Sequence, residues 1–513
     1  MQLSDVDYRD IQGLVRFGHG HMAEAKFILV EIGDSAAARA WLADAPIATA
    51  IKTSTLPKCA LQVAFTHPGL RKLGLPEAIL NDFSAEFRGG MVETNRSRRL
   101  GDINANDPTN WRWGVPGKFQ PDGLVMLYAV AGGLEDWQKK IEGESWKSAF
   151  KWSYELSTIH INDDEPFGFV DSVSQPQLDW QRAKPPRLSV TTEYSNISAL
   201  GEFLLGYPNE YGRYTDRPLI NPCDDPADML PLAEDVAGKK DLGRNGSYLV
   251  LRDLAQDVTG FQRFLDEQAE DMTARRRLAA AMAGRIPADQ PVIPSGYSII
   301  EADDPKQIIP PGSPTARLSQ ENIDGVGPSP KDVWLNQFNF GKDPDGTACP
   351  YGAHIRRANP RNADLPDGTR GWVDQLIRTL GFARTHPHDD LLASTRFHRV
   401  LRRGRAYVSK GQASEETGLR FICLNANIAR QFEFVQTSWL ANPKFNGLNE
   451  DDPLVGNRAP IVTSDASATF TRPRDSGIAS RVDNLKQFVT VRGGGYFFMP
   501  SVPALRFIAQ GPN

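Results

Sequence analysis

Cysteine is scarce in this chain, and the spacing of the few present already closes off some chemistry. Only Cys59, Cys223, Cys349 and Cys423 occur in 513 residues, with no C-x-x-C pair among them. That excludes a cysteine zinc site and a thiolate-held iron–sulfur cluster, and fits a reducing compartment. No run approaches the roughly 18 apolar residues that a membrane helix needs, and M-Q-L-S-D-V-D-Y-R-D has no basic region leading into an apolar one. The expectation is a cytoplasmic protein that does not engage a membrane. An excess of one charge is missing too: 58 Lys+Arg face 63 Asp+Glu, a net charge of -5. No global basic field therefore argues for nucleic acid, and any arginine chemistry is local.

What is present reads as two similar halves. Ala25 to Ile32 (A-K-F-I-L-V-E-I) is strand-like, followed by a turn and cap at Gly33-Asp34-Ser35 and by the amphipathic A-A-A-R-A-W-L. Gly246 to Leu251 (G-S-Y-L-V-L) leads in the same way into V-T-G-F-Q-R-F-L, with Phe261, Phe264 and Leu265 on one helical face. Each half has a second candidate strand, Leu61 to Thr66 and Leu419 to Leu424, again followed by a helical pattern. The expected fold is α+β: two antiparallel sheets with helices, residues 1–240 and 241–513, with the boundary near Gly238 to Gly246. Tyr207 to Leu242 and Arg285 to Lys331 are rich in Pro, Gly and Asp and read as long loops. Val491 to Pro500 (V-R-G-G-G-Y-F-F-M-P) reads as a core strand with a glycine bulge.

With no cysteine cluster, a metal would fall to histidine or carboxylate, and there are eight histidines. The pairs His19/His21 and His386/His388 lack a third ligand at helical spacing. His67 precedes a proline, and His160 and His398 sit in element-like segments as structural histidines. His354 stands apart, in C-P-Y-G-A-H-I-R-R-A-N-P-R (Cys349 to Arg361), one imidazole among three arginines. Such a set suits an anionic porphyrin, held by its iron and its carboxylates; a solvated basic loop is the plainer alternative. F-G-F-V-D-S-V-S-Q-P (Phe167 to Pro176) places Asp171 in a small-residue loop that a flat ligand can approach, where a carboxylate can move a proton; an ordinary Asp turn before Pro176 is the plainer alternative. R-V-L-R-R-G-R-A-Y (Arg399 to Tyr407) gathers guanidinium groups after a short apolar run.

Taken together, these stretches resemble the dye-decolorizing peroxidase family of heme peroxidases. The likeness runs over nearly the whole chain, from D-I-Q-G-L-V (Asp10 to Val15) through G-G-M and L-G-D to G-Y-F-F-M-P-S-V-P-A-L-R-F. The resemblance implies two ferredoxin-like domains, with one heme b bound mainly by the C-terminal one. It also implies an enzyme that uses hydrogen peroxide to oxidise dyes, phenols and other aromatic reductants in one-electron steps. His354 becomes the axial ligand of the heme iron, Asp171 the distal carboxylate and Arg402 the distal arginine. Ser172 stands where the family's G-x-x-D-G signature ends in glycine, and Ala406 and Val408 depart from the pattern after Arg402. Leu419 and Phe421 correspond to apolar residues facing the heme, with Arg420 pointing away as strand alternation requires. The resemblance further suggests Arg361 for a heme propionate, Asp452 as acceptor for the His354 Nδ1 proton, and Tyr407 and Trp439 as surface aromatics that pass electrons. A heme carrier with little turnover and a metal-free binding module are the rival readings, and a homo-oligomer is open.

Overall fold

In the computed structural model, the described residues are 5–159, 165–169, 175–182, 197–222, 227–285, 340, 343, 345–361, 394–410, 415–458, 468–474 and 477–511. Burial accounts for the strands. In β1 (Glu24–Ile32), Phe27 and Leu29 enter one apolar cluster while Ile28, Val30 and Ile32 enter another. A strand covered on both faces must be a continuous apolar run, which is why it stands out in the sequence. Asp34 caps α1 (Ser35–Asp44), its Oδ1 accepting the Ala37 N–H at 2.7 Å, as the turn and cap reading expects. The first half continues with β2 (Cys59–Phe65), β3 (Gly123–Ala129), α2 (Leu134–Ile141), α3 (Glu144–Ala149) and β4 (Phe150–Ser157).

The second half repeats the pattern. β5 (Ser247–Gln256) leads into α4 (Val258–Gln268), which buries Phe261, Phe264 and Leu265 as its spacing predicts. There follow α5 (Met272–Ala283), α6 (His354–Ala358), β6 (Leu401–Arg402), β7 (Arg405–Lys410), β8 (Glu415–Asn425), β9 (Val489–Met499) and α7 (Val502–Gln510). The register of β9 against β5 shifts between Val491 and Gly493, the expected bulge. All of the expected Arg285 to Lys331 loop beyond Arg285 lies outside the described residues.

The strands form one nine-stranded sheet in the order β6-β8-β5-β9-β2-β3-β1-β4, with β7 also on β8, and the pairings within it are antiparallel. Each half has the ferredoxin-like order, fourth strand, first, third, second. The two sheets are continuous rather than separate, because β9 pairs with β2 through Phe498 and Phe65. The outer edges also approach, with the Ile159 N–H donating to Ala406 O at 2.8 Å. One apolar cluster, including Phe27, Met126, Leu251, Ile422 and Phe497, fills the inner face. On the opposite face of β5, Tyr248 and Val250 pack in the other cluster, and Arg252, Leu254 and Gln256 continue that side into a cavity.

Candidate active site

The cavity has about 270 Å³ of space that the centre of a water molecule can reach. One wall is the sheet: Leu254 from β5, Leu419 and Phe421 from β8, Val489 and Val491 from β9. Alternation explains the pair on β8. Leu419 and Phe421 face the cavity while Arg420 lies on the other side, hydrogen-bonded to Asp253 and stacked 3.5 Å from the Tyr407 ring centroid. The other wall is helical. His354 and Ile355 come from α6, and Phe432, Val435, Gln436, Trp439 and Leu440 from the turns at Ala429–Glu433 and Val435–Leu440.

His354 is the first residue of α6 and lines the cavity with 27% of its side chain exposed. Its Nδ1 lies 2.9 Å from Asp452 Oδ2, and Asp452 is fully buried. The second oxygen of Asp452 accepts the Leu454 and Val455 N–H groups, each at 2.9 Å. Burial pushes the imidazole pKa down, but the carboxylate outweighs it and the net shift is upward. Burial likewise pushes Asp452 up, yet His354 and the nearby Arg357 cation hold it below the ordinary carboxylate value. With Nδ1 engaged, Nε2 is the nitrogen left to meet a ligand in the cavity.

Arg402 lines the cavity from β6, and its charge opposes protonation of His354. Its backbone N–H donates to Gln175 Oε1 at 3.0 Å, tying β6 to the chain just after position 171. Asp171 and Ser172 themselves lie outside the described residues.

The arginines of the His354 stretch do not line this cavity. Arg356 is buried against Asp343 at 2.8 Å, and Arg357 donates to the Trp439, Asn442 and Glu450 carbonyls. Arg361 is fully buried, with φ 54°, and its carbonyl accepts from Thr395. The guanidinium groups that do line the cavity are Arg252, Arg285, Arg399 and Arg402. Arg252 is already paired with Asp102, its Nη1 3.2 Å from Oδ2. Arg399 belongs to a run singled out in the sequence; Arg285 was missed, and nothing near it carries a signal beyond the end of a helical pattern.

Of the two aromatics expected at the surface, one is buried and the other is partly exposed. Tyr407 is fully buried, its hydroxyl donating to Glu416 Oε1 at 3.0 Å. Trp439 is a cavity wall, edge-on to His398 and Phe434 with ring centroids 5.4 Å and 5.3 Å away.

An imidazole backed by a buried carboxylate, apolar walls on two sides and several cations at the margin form a donor set that fits heme. No family model matches the chain. Curated relatives do. The chain is 26% identical to a dye-decolorizing peroxidase of Exidia glandulosa, over 98% of this chain and 87% of that protein. It is 27% identical to Peroxidase 2 of Mycetinis scorodonius, over 97% and 86%. Over nearly its whole length the chain is similar in sequence to dye-decolorizing peroxidases. A multifunctional dye peroxidase of Amycolatopsis sp. is 25% identical, over 97% of this chain and 92% of its own. Among solved structures, an ancestral D-type dye-decolorizing peroxidase superposes with a TM-score of 0.67 at 23% identity, covering 98% and 99% of the two chains. The Anabaena sp. DyP-type peroxidase gives 0.64 at 21% identity, covering 98% and 94%, and these likenesses establish the fold. The cofactor of the family is heme.

Proposed function

We propose that this chain is a heme peroxidase that uses hydrogen peroxide to oxidise dyes, phenols and other aromatic reductants by one-electron steps. The observation that carries the reading is the His354–Asp452 pair at the wall of an otherwise largely apolar cavity. Similarity to relatives named dye-decolorizing peroxidases supports the substrate class. So does a solved relative, 20% identical, described in complex with 2,6-dimethoxyphenol.

When bound, heme supplies a redox-active iron at which the O–O bond of peroxide is cleaved and to which a reductant returns electrons singly. His354 Nε2 would hold the heme iron. Asp452 takes the Nδ1 proton in a hydrogen bond, fixes the tautomer and makes the imidazole a stronger donor. Asp171, by the family resemblance, would take a proton from one peroxide oxygen and deliver it to the other, which would leave as water. Arg402 offsets the negative charge that grows as the two oxygens separate. Leu419 and Phe421 line the cavity with Arg402 and would limit water beside it, so that its charge would be little screened. Arg285 and Arg399 are the groups we assign to the heme carboxylates, in place of Arg361.

In this scheme residues 1–240 carry the Asp171 loop and residues 241–513 hold the heme. Among the described residues no helix is long and apolar enough to cross a membrane. The described cysteines, Cys59, Cys349 and Cys423, are free thiols, which supports a cytoplasmic setting. Mixing the purified holoprotein with one equivalent of peroxide and then a phenol or an anthraquinone dye tests the reading. Rapid spectral change followed by product formation is expected, and stoichiometric heme without turnover would leave a carrier. In Asp171→Asn or Arg402→Leu the first spectral change is expected to slow at least about 100-fold with heme still bound. His354→Ala is expected to lose heme or hold it weakly, with a shifted Soret band.

A further inference from the structure

The cavity wall from Thr395 to Val400 sits outside any strand, yet Thr395, His398, Arg399 and Val400 all line the site. Its carbonyls are caught from behind. Arg430 Nη1 donates to Phe397 O at 2.6 Å, Gln431 Nε2 donates to Arg399 O at 2.6 Å, and the Arg430 carbonyl lies 2.5 Å from His398 Nδ1. Arg430 is itself held from the first half of the chain, by Glu202 and by the Tyr211 ring, whose centroid is 5.3 Å from the guanidinium carbon. The Arg430 Nη2 to Glu202 Oε2 ion pair is 2.8 Å, and the Glu202 side chain has no exposed surface.

We propose that Glu202 is a positioning residue for the heme cavity, holding through Arg430 the wall that carries His398, Arg399 and the approach to Arg402. This rests on the peroxidase reading only for the identity of what fills the cavity. Four further contacts support it. Gln431 Nε2 also donates to the Glu202 carbonyl at 2.8 Å, and the Ala426 N–H donates to the same oxygen at 2.8 Å. Glu202 Oε1 accepts the Glu210 N–H at 2.9 Å, and Glu210 in turn pairs with Arg396 on the wall at 2.8 Å. The wall is thus gripped at Arg396, Phe397, His398 and Arg399 by a cluster centred on two buried carboxylates.

The charged groups around Glu202 are Arg430, Glu210 and, one step further, Arg396, Arg399 and His398. Burial pushes the Glu202 pKa up to about 7, against the pull of Arg430. The sign follows directly. Below that value the folded protein keeps a proton on Glu202 and the ion pair is absent; above it the carboxylate ionises and Arg430 is locked. Folding is also linked to this proton: the unfolded chain releases it at the ordinary, lower glutamate value, so this group makes folding less favourable as pH rises from there to about 7.

The test is hydrogen–deuterium exchange of the peptide 394–402 in the full chain, with and without heme, corrected for intrinsic exchange, at about pH 5.5 and about pH 8. Glu202→Gln is expected to raise exchange there about tenfold or more at the higher pH, with little difference from wild type at the lower. In the ferric holoprotein, azide titrated against the Soret band should show a changed Kd for the variant at the higher pH only. Equal protection of the two proteins at the higher pH overturns the proposal. Should Glu202→Gln fail to fold, Arg430→Lys decides, because it keeps the charge but loses the guanidinium that reaches both Glu202 and Phe397 O: protection of 394–402 equal to wild type at the higher pH overturns the proposal. If neither protein binds heme, the peroxidase reading falls, while exchange in the apoprotein still judges Glu202.

Discussion

At the scale of single residues, Asp452 shows how one buried carboxylate sets the character of a histidine. It accepts from the His354 imidazole and from two backbone N–H groups, so it is fully satisfied as an anion and poorly placed to accept a proton. Asp452→Asn keeps the shape and removes the charge. Heme affinity should fall about 10- to 100-fold, read by transfer of heme to an apoglobin acceptor, with a change in the Soret position as the ring loses its anionic partner. Of the site, the place of His354 on the cavity wall was anticipated by the resemblance its stretch carries, composition alone having left a solvated basic loop open. Leu419, Arg420 and Phe421 were legible because strand alternation is a strict period of two. The arginines beside His354 were misread for a physical reason. A guanidinium goes where acceptors are, and Asp343 and the carbonyls of Trp439, Asn442 and Glu450 are brought there only by the fold. Tyr407 was misread likewise, since an aromatic ring does not announce whether Glu416 will come to cover its hydroxyl.

At the scale of elements, the glycine run in β9 records close approaches. A Cβ on Gly493 would stand 2.3 Å from Trp113 Nε1, and one on Gly494 2.7 Å from Met91 Sδ. The bulge beside them is pinned by Asn106 Oδ1, which accepts the Val491 N–H at 3.0 Å, so Val489 and Val491 keep their places in the cavity wall. Trp113 is fully buried and has nowhere to move. Gly493→Ala should therefore destabilise the protein by about 1–3 kcal/mol through overpacking, seen as a lower denaturation midpoint with an unchanged m-value. The bulge could be read from the glycines. The geometry of residues 429–440 could not: N-A-N-I-A-R-Q-F-E-F-V-Q has an ordinary helical pattern, but the chain is wound as two π-helical runs. Those runs put Phe432, Val435, Gln436, Trp439 and Leu440 on the cavity together. Such winding comes from packing against the sheet and α6, which a local pattern does not encode.

At the scale of the whole molecule, the repeated strand order suggests two units, yet the contacts between halves are those of one body. A single apolar cluster contains Val30 and Leu61 from the first half with Val250 and Phe498 from the second. The ladder between β9 and β2 is a single pair, Phe498 with Phe65, so the join depends on side chains. Gln12 supplies the firmest of these. Its Nε2 donates to Val63 O at 2.9 Å and Pro500 O at 2.8 Å, while its Oε1 accepts the Val63 N–H at 2.9 Å, all out of contact with water. Arg403 makes a second link, donating to the Leu14 and Val15 carbonyls at 2.8 Å and 2.9 Å. Because both halves close one core, unfolding of either exposes apolar surface on the other, and cooperativity should extend across the chain. Circular dichroism and tryptophan fluorescence should therefore report coincident denaturant transitions; two separated transitions would show halves that fold alone. Gln12→Ala leaves two carbonyls and one N–H buried without their partner, at about 1–3 kcal/mol for each group left unsatisfied. The expected outcome is a lower midpoint with the transitions still coincident, since the cut removes a tie at the seam but leaves the shared core intact.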